Sequence, residues 1–344
     1  MIQHSDAEPP GSNTPVKDTI PDAAARYLGA VELVMLDLLR ARSGTVVEAA
    51  VAAVAAGGKR LRPLLVFAAS SIASPPTPAV QRNVIRAGAA VELLHTASLI
   101  HDDVLDAAQL RRGTPTVHSE HGLPIAVASG DLLFSQAFRA LLDTRADAEP
   151  HITERAVQRT TQVSRILAEG EALQAEQIRD VSLSQEAYLD RCQRKTGELF
   201  GLAMELAGLF TGAHADEVDL LGRYGRDIGI AFQLADDVLD CSPDATAASL
   251  GKQPGADLRD GTITLPMLVA LHQDPSLTDV LAQPVTDVEA VLHRIANSGA
   301  LATAIELAQE QVADAEALLE SLDERRFNIV ALREIAHRAV VRLS

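Results

Sequence analysis

The sequence predicts an all-α fold, a single large domain of ten or more helices. Three observations carry that prediction. Apolar residues recur at three- and four-residue spacing almost everywhere from Pro21 onward, as in Ala24-Tyr27-Leu28-Val31 and Leu199-Leu202-Ala203-Leu206. No run of alternating β-branched residues reads as a strand. The chain has 344 residues, 47% of them hydrophobic, ample for a large buried core.

Residues 1–20 are rich in Pro, Ser, Asp and Thr, show no apolar period and read as a flexible N-terminal tail; residues 21–344 form the domain. Breakers then fall where helices should end: Gly57-Gly58, Pro75-Pro76, Gly113 to Pro115, Gly122 to Pro124, Pro150, Gly212, Pro243 and Pro254-Gly255. The helices between them are long, with Pro78 to Asp106, His151 to Asp180 and Ala215 to Asp240 the longest. No linker in the body marks a domain boundary, and no wider repeat accompanies the one short motif that occurs twice.

Bulk properties exclude several classes. A net charge of −17 argues against nucleic acid as a partner. The two cysteines, Cys192 and Cys241, offer no disulfide framework or zinc site. No stretch approaches the roughly 20 uninterrupted apolar residues of a membrane span. The N-terminus lacks the basic start and apolar run of a signal peptide, so the expected location is cytoplasmic.

The motif that occurs twice is DDVLD, at Asp102-Asp103-Val104-Leu105-Asp106 and again at Asp236-Asp237-Val238-Leu239-Asp240. Residues four apart share a helix face, so Asp102 with Asp106 and Asp236 with Asp240 form two carboxylate ledges. Both stand at helix C-termini, where the macrodipole disfavours acidic groups. One such cluster is most simply a solvated helix end; its recurrence is not. Oxygen-only ledges suit Mg²⁺, which takes one or two carboxylates plus phosphate oxygens.

Cations accompany them. Lys59, Arg60 and Arg62 open a helix after Gly57-Gly58, where basic residues oppose the dipole but favour an anion. Arg111 and Arg112 follow the first cluster, Lys252 follows the second, and Lys195 lies in an otherwise core-like helix. Each alone reads as surface charge. Together they make two cationic sets, Lys59, Arg62 and Arg112 against Arg111, Lys195 and Lys252, and imply two anionic substrates.

The chain resembles the trans-isoprenyl (polyprenyl) diphosphate synthase family from about Pro21 to the C-terminus. The resemblance rests on GGKRLRP (57–63), ELLHTASLIHDDVLD (92–106), LRRGTPT (110–116), SGDLLF (129–134), GEALQ (170–174), RKTGELF (194–200), GIAFQLADDVLD (229–240) and LGKQPGADLRDGTITLP (250–266). It implies an isoprenoid-synthase domain with a central active-site cavity. It implies about three Mg²⁺ ions on Asp102, Asp106 and Asp236, assisted by Asp103, Asp237 and Asp240. Isopentenyl diphosphate is expected on Lys59, Arg62, His95 and Arg112, and an allylic diphosphate on Arg111, Lys195, Thr196, Gln233 and Lys252. It also implies a homodimer, with a peripheral membrane contact for product release. Two departures stand out: Ala107-Ala108-Gln109 replaces polar or acidic residues common after the first cluster, and Ala256 replaces a common aspartate.

Product length is expected to be set on the helix before Asp102, at Ala97, Ser98, Leu94 and Val91. Relatives with short products plug this level with aromatic rings. Small residues here predict an open tunnel and a product longer than twenty carbons, with geranylgeranyl or farnesyl diphosphate as the shorter alternative. A class I terpene cyclase and a regulatory subunit of a heteromeric synthase are the rivals. Lys59, Arg62 and His95 disfavour the first, and the retained aspartates disfavour the second.

Overall fold

The computed structural model describes residues 22–40, 43–70, 76–111, 113–243 and 254–340. The predicted tail, Arg112 and Lys252 lie outside the described residues.

The first three helices are α1 (Asp22–Leu39), α2 (Thr45–Ala55) and α3 (Leu61–Ser70). The stripe Ala24, Tyr27, Val31, Met35 and Leu39 is the buried face of α1. Helix α4 (Pro78–Leu105) starts at Thr77, whose side chain accepts from Val80 N at 3.3 Å, with Pro78 at the first helical position, where its missing N–H costs nothing. It runs 28 residues to a C-cap at Asp106.

A short antiparallel pair follows, β1 (Leu110–Arg111) with β2 (Thr114–Pro115), turned at Gly113 with φ 79°. No strand was expected; this hairpin pairs only two residues from each side. Next come α5 (Val117–His121), α6 (Leu123–Leu142), α7 (Pro150–Glu176) and α8 (Gln185–Cys192). Residues Gln193–Gly197 then widen into a π-turn before α9 (Glu198–Thr211). Helix α10 (Ala215–Asp240) carries the second acidic cluster at its end. The C-terminal part comprises α11 (Ala256–Asp260), α12 (Leu265–Gln273), α13 (Leu277–Leu281), α14 (Val288–Asn297), α15 (Ala300–Leu319) and α16 (Ile329–Val340).

Helix α9 is the axis of the fold. Every residue from Glu198 to Phe210 is buried, the mark of a helix enclosed on all sides. It packs on α3, α4, α7 and α10, while α6 covers α4 and α15 covers α10. Glycines let α9 and α10 approach closely. A Cβ at Gly229 would stand 2.7 Å from Gly197 Cα, and one at Gly225 would stand 2.7 Å from Phe200 O. The two acids buried in α9 are paired: Arg159 of α7 reaches Glu198 at 2.7 Å and Glu205, and Arg226 of α10 reaches Glu205 at 2.8 Å.

One segment, Leu123–Ala146, is long and apolar enough to cross a membrane by length and composition. The sequence reading expected none. The composition has a packing cause, because Ala126, Gly130, Leu133, Ala137 and Leu141 are buried within the protein. Cys192 and Cys241 are buried free thiols.

Candidate active site

At the C-terminal end of α4, Asp102 comes within electrostatic reach of Glu171 of α7 and Lys195 of the π-turn. Asp102 is half-buried, and its Oδ1 is buried with no hydrogen-bond partner among the described residues. Burial, and then the neighbouring Glu171 carboxylate, push the Asp102 carboxyl up to about 7, against the pull of Lys195 and Arg111. Lys195 Nζ lies 2.7 Å from Glu171 Oε2 and donates to Gln174 Oε1 at 2.9 Å. Asp106, the helix cap, is exposed. Asp103 faces away from this ledge: it is buried and accepts from Arg111 Nε at 2.8 Å. Burial holds its carboxyl above the usual range while Arg111 draws it back down.

The second cluster divides differently from expectation. Asp236 is half-buried and available to the site. Asp237 is buried, with Tyr188 Oη donating to its Oδ2 at 2.5 Å and Gln233 Nε2 to its Oδ1 at 2.7 Å. Thr196 Oγ1 in turn donates to Gln233 Oε1 at 2.8 Å. Asp240 is fully buried. The amides of Ala256 and Asp257 donate to its carboxylate at 3.3 and 3.0 Å, and Gly255 N donates to its carbonyl at 2.8 Å. The predicted ledge of Asp236 with Asp240 is therefore corrected. Four residues advance a helix about 40° past one turn, and the chain returning at Gly255 covers that side of α10.

These residues fit a hard divalent cation. An orphaned, buried carboxylate oxygen beside a second acid is a site short of positive charge, and its donors are all oxygen. Among the described residues no group of three acidic, His or Cys side chains could hold a metal unaided. A cation there would complete its shell with water or phosphate oxygens, as Mg²⁺ commonly does.

Of the expected isopentenyl diphosphate residues, Arg62 lies on α3, His95 on α4 and Lys59 in the turn before α3. Lys59 is exposed and His95 half-buried. Arg62 stacks its guanidinium 4.9 Å above the Phe200 ring, and its buried Nε has no hydrogen-bond partner among the described residues. Burial pulls its guanidinium down to about 10, with Glu92 countering. Arg60 belongs to the framework. It takes a left-handed backbone, φ 48°, and binds Glu92 at 2.8 Å and Val54 O at 2.6 Å.

The chain-length positions split. Ser98 is half-buried, one turn before Asp102, and donates to His95 O at 2.9 Å. Ala97, Leu94 and Val91 have no exposed surface at all. They face neighbouring helices, where small residues allow close packing.

Sequence reasoning missed Tyr188 and gave no role to Glu171 or Gln174. The last two were visible in GEALQ, one turn apart and facing Lys195. Tyr188 had no signal, because nothing in its surroundings distinguishes it from a core tyrosine.

The chain is similar to known proteins over most of its length. A family model described as polyprenyl synthetase matches residues 44–297. Geranylgeranyl diphosphate synthase of Sulfolobus acidocaldarius is 37% identical over 216 residues, 63% of this chain and 64% of its own length. The chain thus matches just under two thirds of that relative. Octaprenyl diphosphate synthase of Escherichia coli is 31% identical over 94% of this chain and 98% of its own. A crystal structure of polyprenyl synthase from Caulobacter crescentus, complexed with calcium and isoprenyl diphosphate, superposes with a TM-score of 0.83. It is 34% identical over 94% of this chain and 96% of that one.

Proposed function

The chain belongs to the polyprenyl synthetase family, and on that premise we propose that it condenses isopentenyl diphosphate head to tail with an allylic diphosphate, releasing diphosphate and a longer polyprenyl diphosphate. Asp102 carries the reading: a buried carboxylate oxygen without a hydrogen-bond partner among the described residues, beside Glu171, Lys195 and Arg111. Such a group awaits a cation and the anion that the cation brings.

Asp102, Asp106 and Asp236 would hold Mg²⁺, which when bound neutralises charge growing on the leaving diphosphate. Lys195, Arg111 and Lys252 bind that leaving group directly. Lys59, Arg62, His95 and Arg112 bind the second diphosphate. Arg62 is held in place for it by its stacking on the Phe200 ring, 4.9 Å away. Thr196 and Gln233 orient the allylic group and meet its developing positive charge with oxygen dipoles. The enclosed walls of α4 and α9 keep water from the cation.

The product is longer than twenty carbons in this reading, supported by the octaprenyl relative that the chain matches nearly end to end. The geranylgeranyl relative supports the shorter alternative. A homodimer in the cytosol is part of the proposal. It is supported by Leu123, Val127 and Leu142, large apolar side chains that stand exposed on α6.

Incubating the purified chain with Mg²⁺, isopentenyl diphosphate and an allylic primer is the test. Chain elongation upholds the reading. A cyclic hydrocarbon would replace it with a terpene cyclase, and no turnover with a regulatory subunit.

A further inference from the structure

We propose that Tyr188 is a positioning residue for the condensation: through Asp237 it fixes the plane in which the Gln233 amide is held against Thr196. The inference rests on the prenyl-transfer reading above and adds a residue to it. The chain has three tyrosines, all buried. Tyr27 and Tyr224 donate to backbone carbonyls, of Val84 and Leu332. Tyr188 alone donates to a carboxylate, at 2.5 Å.

Four side chains form one line, Tyr188 to Asp237 to Gln233 to Thr196, joining α8, α10 and the π-turn. The ends of a glutamine amide have nearly the same shape, so only their hydrogen-bond partners decide its orientation. An ionised carboxylate accepts and does not donate, so the NH₂ end of Gln233 must face Asp237. The carbonyl oxygen is then left for Thr196 and the allylic side of the site, with its dipole in the sense that stabilises a developing cation. The reversed amide would present N–H groups and oppose that charge.

The order of the line depends on its first member. Tyr188 pins Oδ2 of Asp237 and thereby fixes the plane of the carboxylate, leaving Oδ1 aimed at Gln233 Nε2. Removing the hydroxyl frees that rotation. The Tyr188 ring also meets the Arg191 guanidinium, with Cζ 5.5 Å from its centroid, so the phenol has little freedom of its own.

Tyr188→Phe keeps the ring and deletes the hydroxyl. We expect kcat to fall about ten-fold or more, while both diphosphate KM values and the half-saturating Mg²⁺ concentration stay within about two-fold. Calorimetric affinity for inorganic diphosphate with Mg²⁺ should also be unchanged, which separates positioning from a collapsed site. A kcat within about two-fold of wild type overturns the inference, as does an equal loss in KM or in Mg²⁺ affinity. Should the Phe variant not fold, Asp237→Asn keeps the volume and adds a donor that lets Gln233 reverse. It should show the same split, and a raised Mg²⁺ requirement would overturn the inference by making Asp237 a ligand. Wild type that elongates no primer overturns the functional reading and this inference together; active wild type with an indifferent Tyr188→Phe overturns only the latter.

Discussion

At the scale of single residues, the two acidic motifs are chemically alike but do different work position by position. Asp102→Ala and Asp236→Ala should each lower turnover by roughly 10²–10³-fold without unfolding the protein, as removal of a preorganised charge partner does. Near-normal steady-state rates at saturating Mg²⁺ in either variant would remove that residue from the site. The resemblance grouped Asp102, Lys195, Thr196 and Gln233, and in the structure Lys195 acts on Asp102 while Thr196 donates to Gln233. The sequence could not tell that Asp103, Asp237 and Asp240 are turned into the protein, since that depends on Arg111, Tyr188 and the amides after Gly255. A residue outside the site gives a pH test. Arg82 and Arg86 hold Asp147, the latter at 2.7 Å, and their hydrogen bonds keep its carboxyl far below the usual range. A depressed folded pKa adds stability above the unfolded value, which is lost as the pH falls below about 4. Asp147→Asn should therefore lower the Tm at pH 7, and the difference from wild type should shrink on acidification. A Tm gap independent of pH would mean that the clamp acts by shape alone.

At the scale of elements, the long helices were legible almost to the residue. Expected Pro78 to Asp106 is α4, Pro78–Leu105, and expected Ala215 to Asp240 is α10. Caps and prolines mark such ends locally. Illegible were the π-turn at Gln193–Gly197 and the hairpin at Leu110–Pro115, both too short to print a period. The π-turn is the more consequential of the two, since such turns gather at functional sites and this one carries Lys195 and Thr196. Helix α4 also decides where product length can be altered. Ala97 is enclosed, so a ring there must overpack the core, typically at a cost of about 1–3 kcal/mol. Ser98 retains exposure on the face of Asp102. Ser98→Phe should shorten the longest product while leaving the first condensation within about three-fold of wild type. An unchanged product ladder on reversed-phase chromatography would put the floor elsewhere, with Phe134 and Phe138 of α6 next to be tested.

At the scale of the whole molecule, the fold class followed from periodicity alone, whereas assembly did not, because an apolar helix face reads the same whether its own chain or a second copy covers it. The proposed homodimer makes a direct prediction. Sedimentation at micromolar concentration should give a two-chain species, and Val127→Asp on the exposed side of α6 should shift it toward one chain. A wild-type monomer would instead make Leu123, Val127 and Leu142 ordinary exposed side chains. The glycine seam between α9 and α10 has a consequence on the time axis. Where backbones touch with no intervening side chain, neither helix can open without taking the other along, and water reaches their amides only when the whole domain unfolds. In deuterated water the amides of Phe200 to Phe210, with those of α10 facing them, should be the last to exchange. Their rate should report the global unfolding free energy, while the ends of α4 and α7 exchange earlier and slow selectively when both diphosphates are bound.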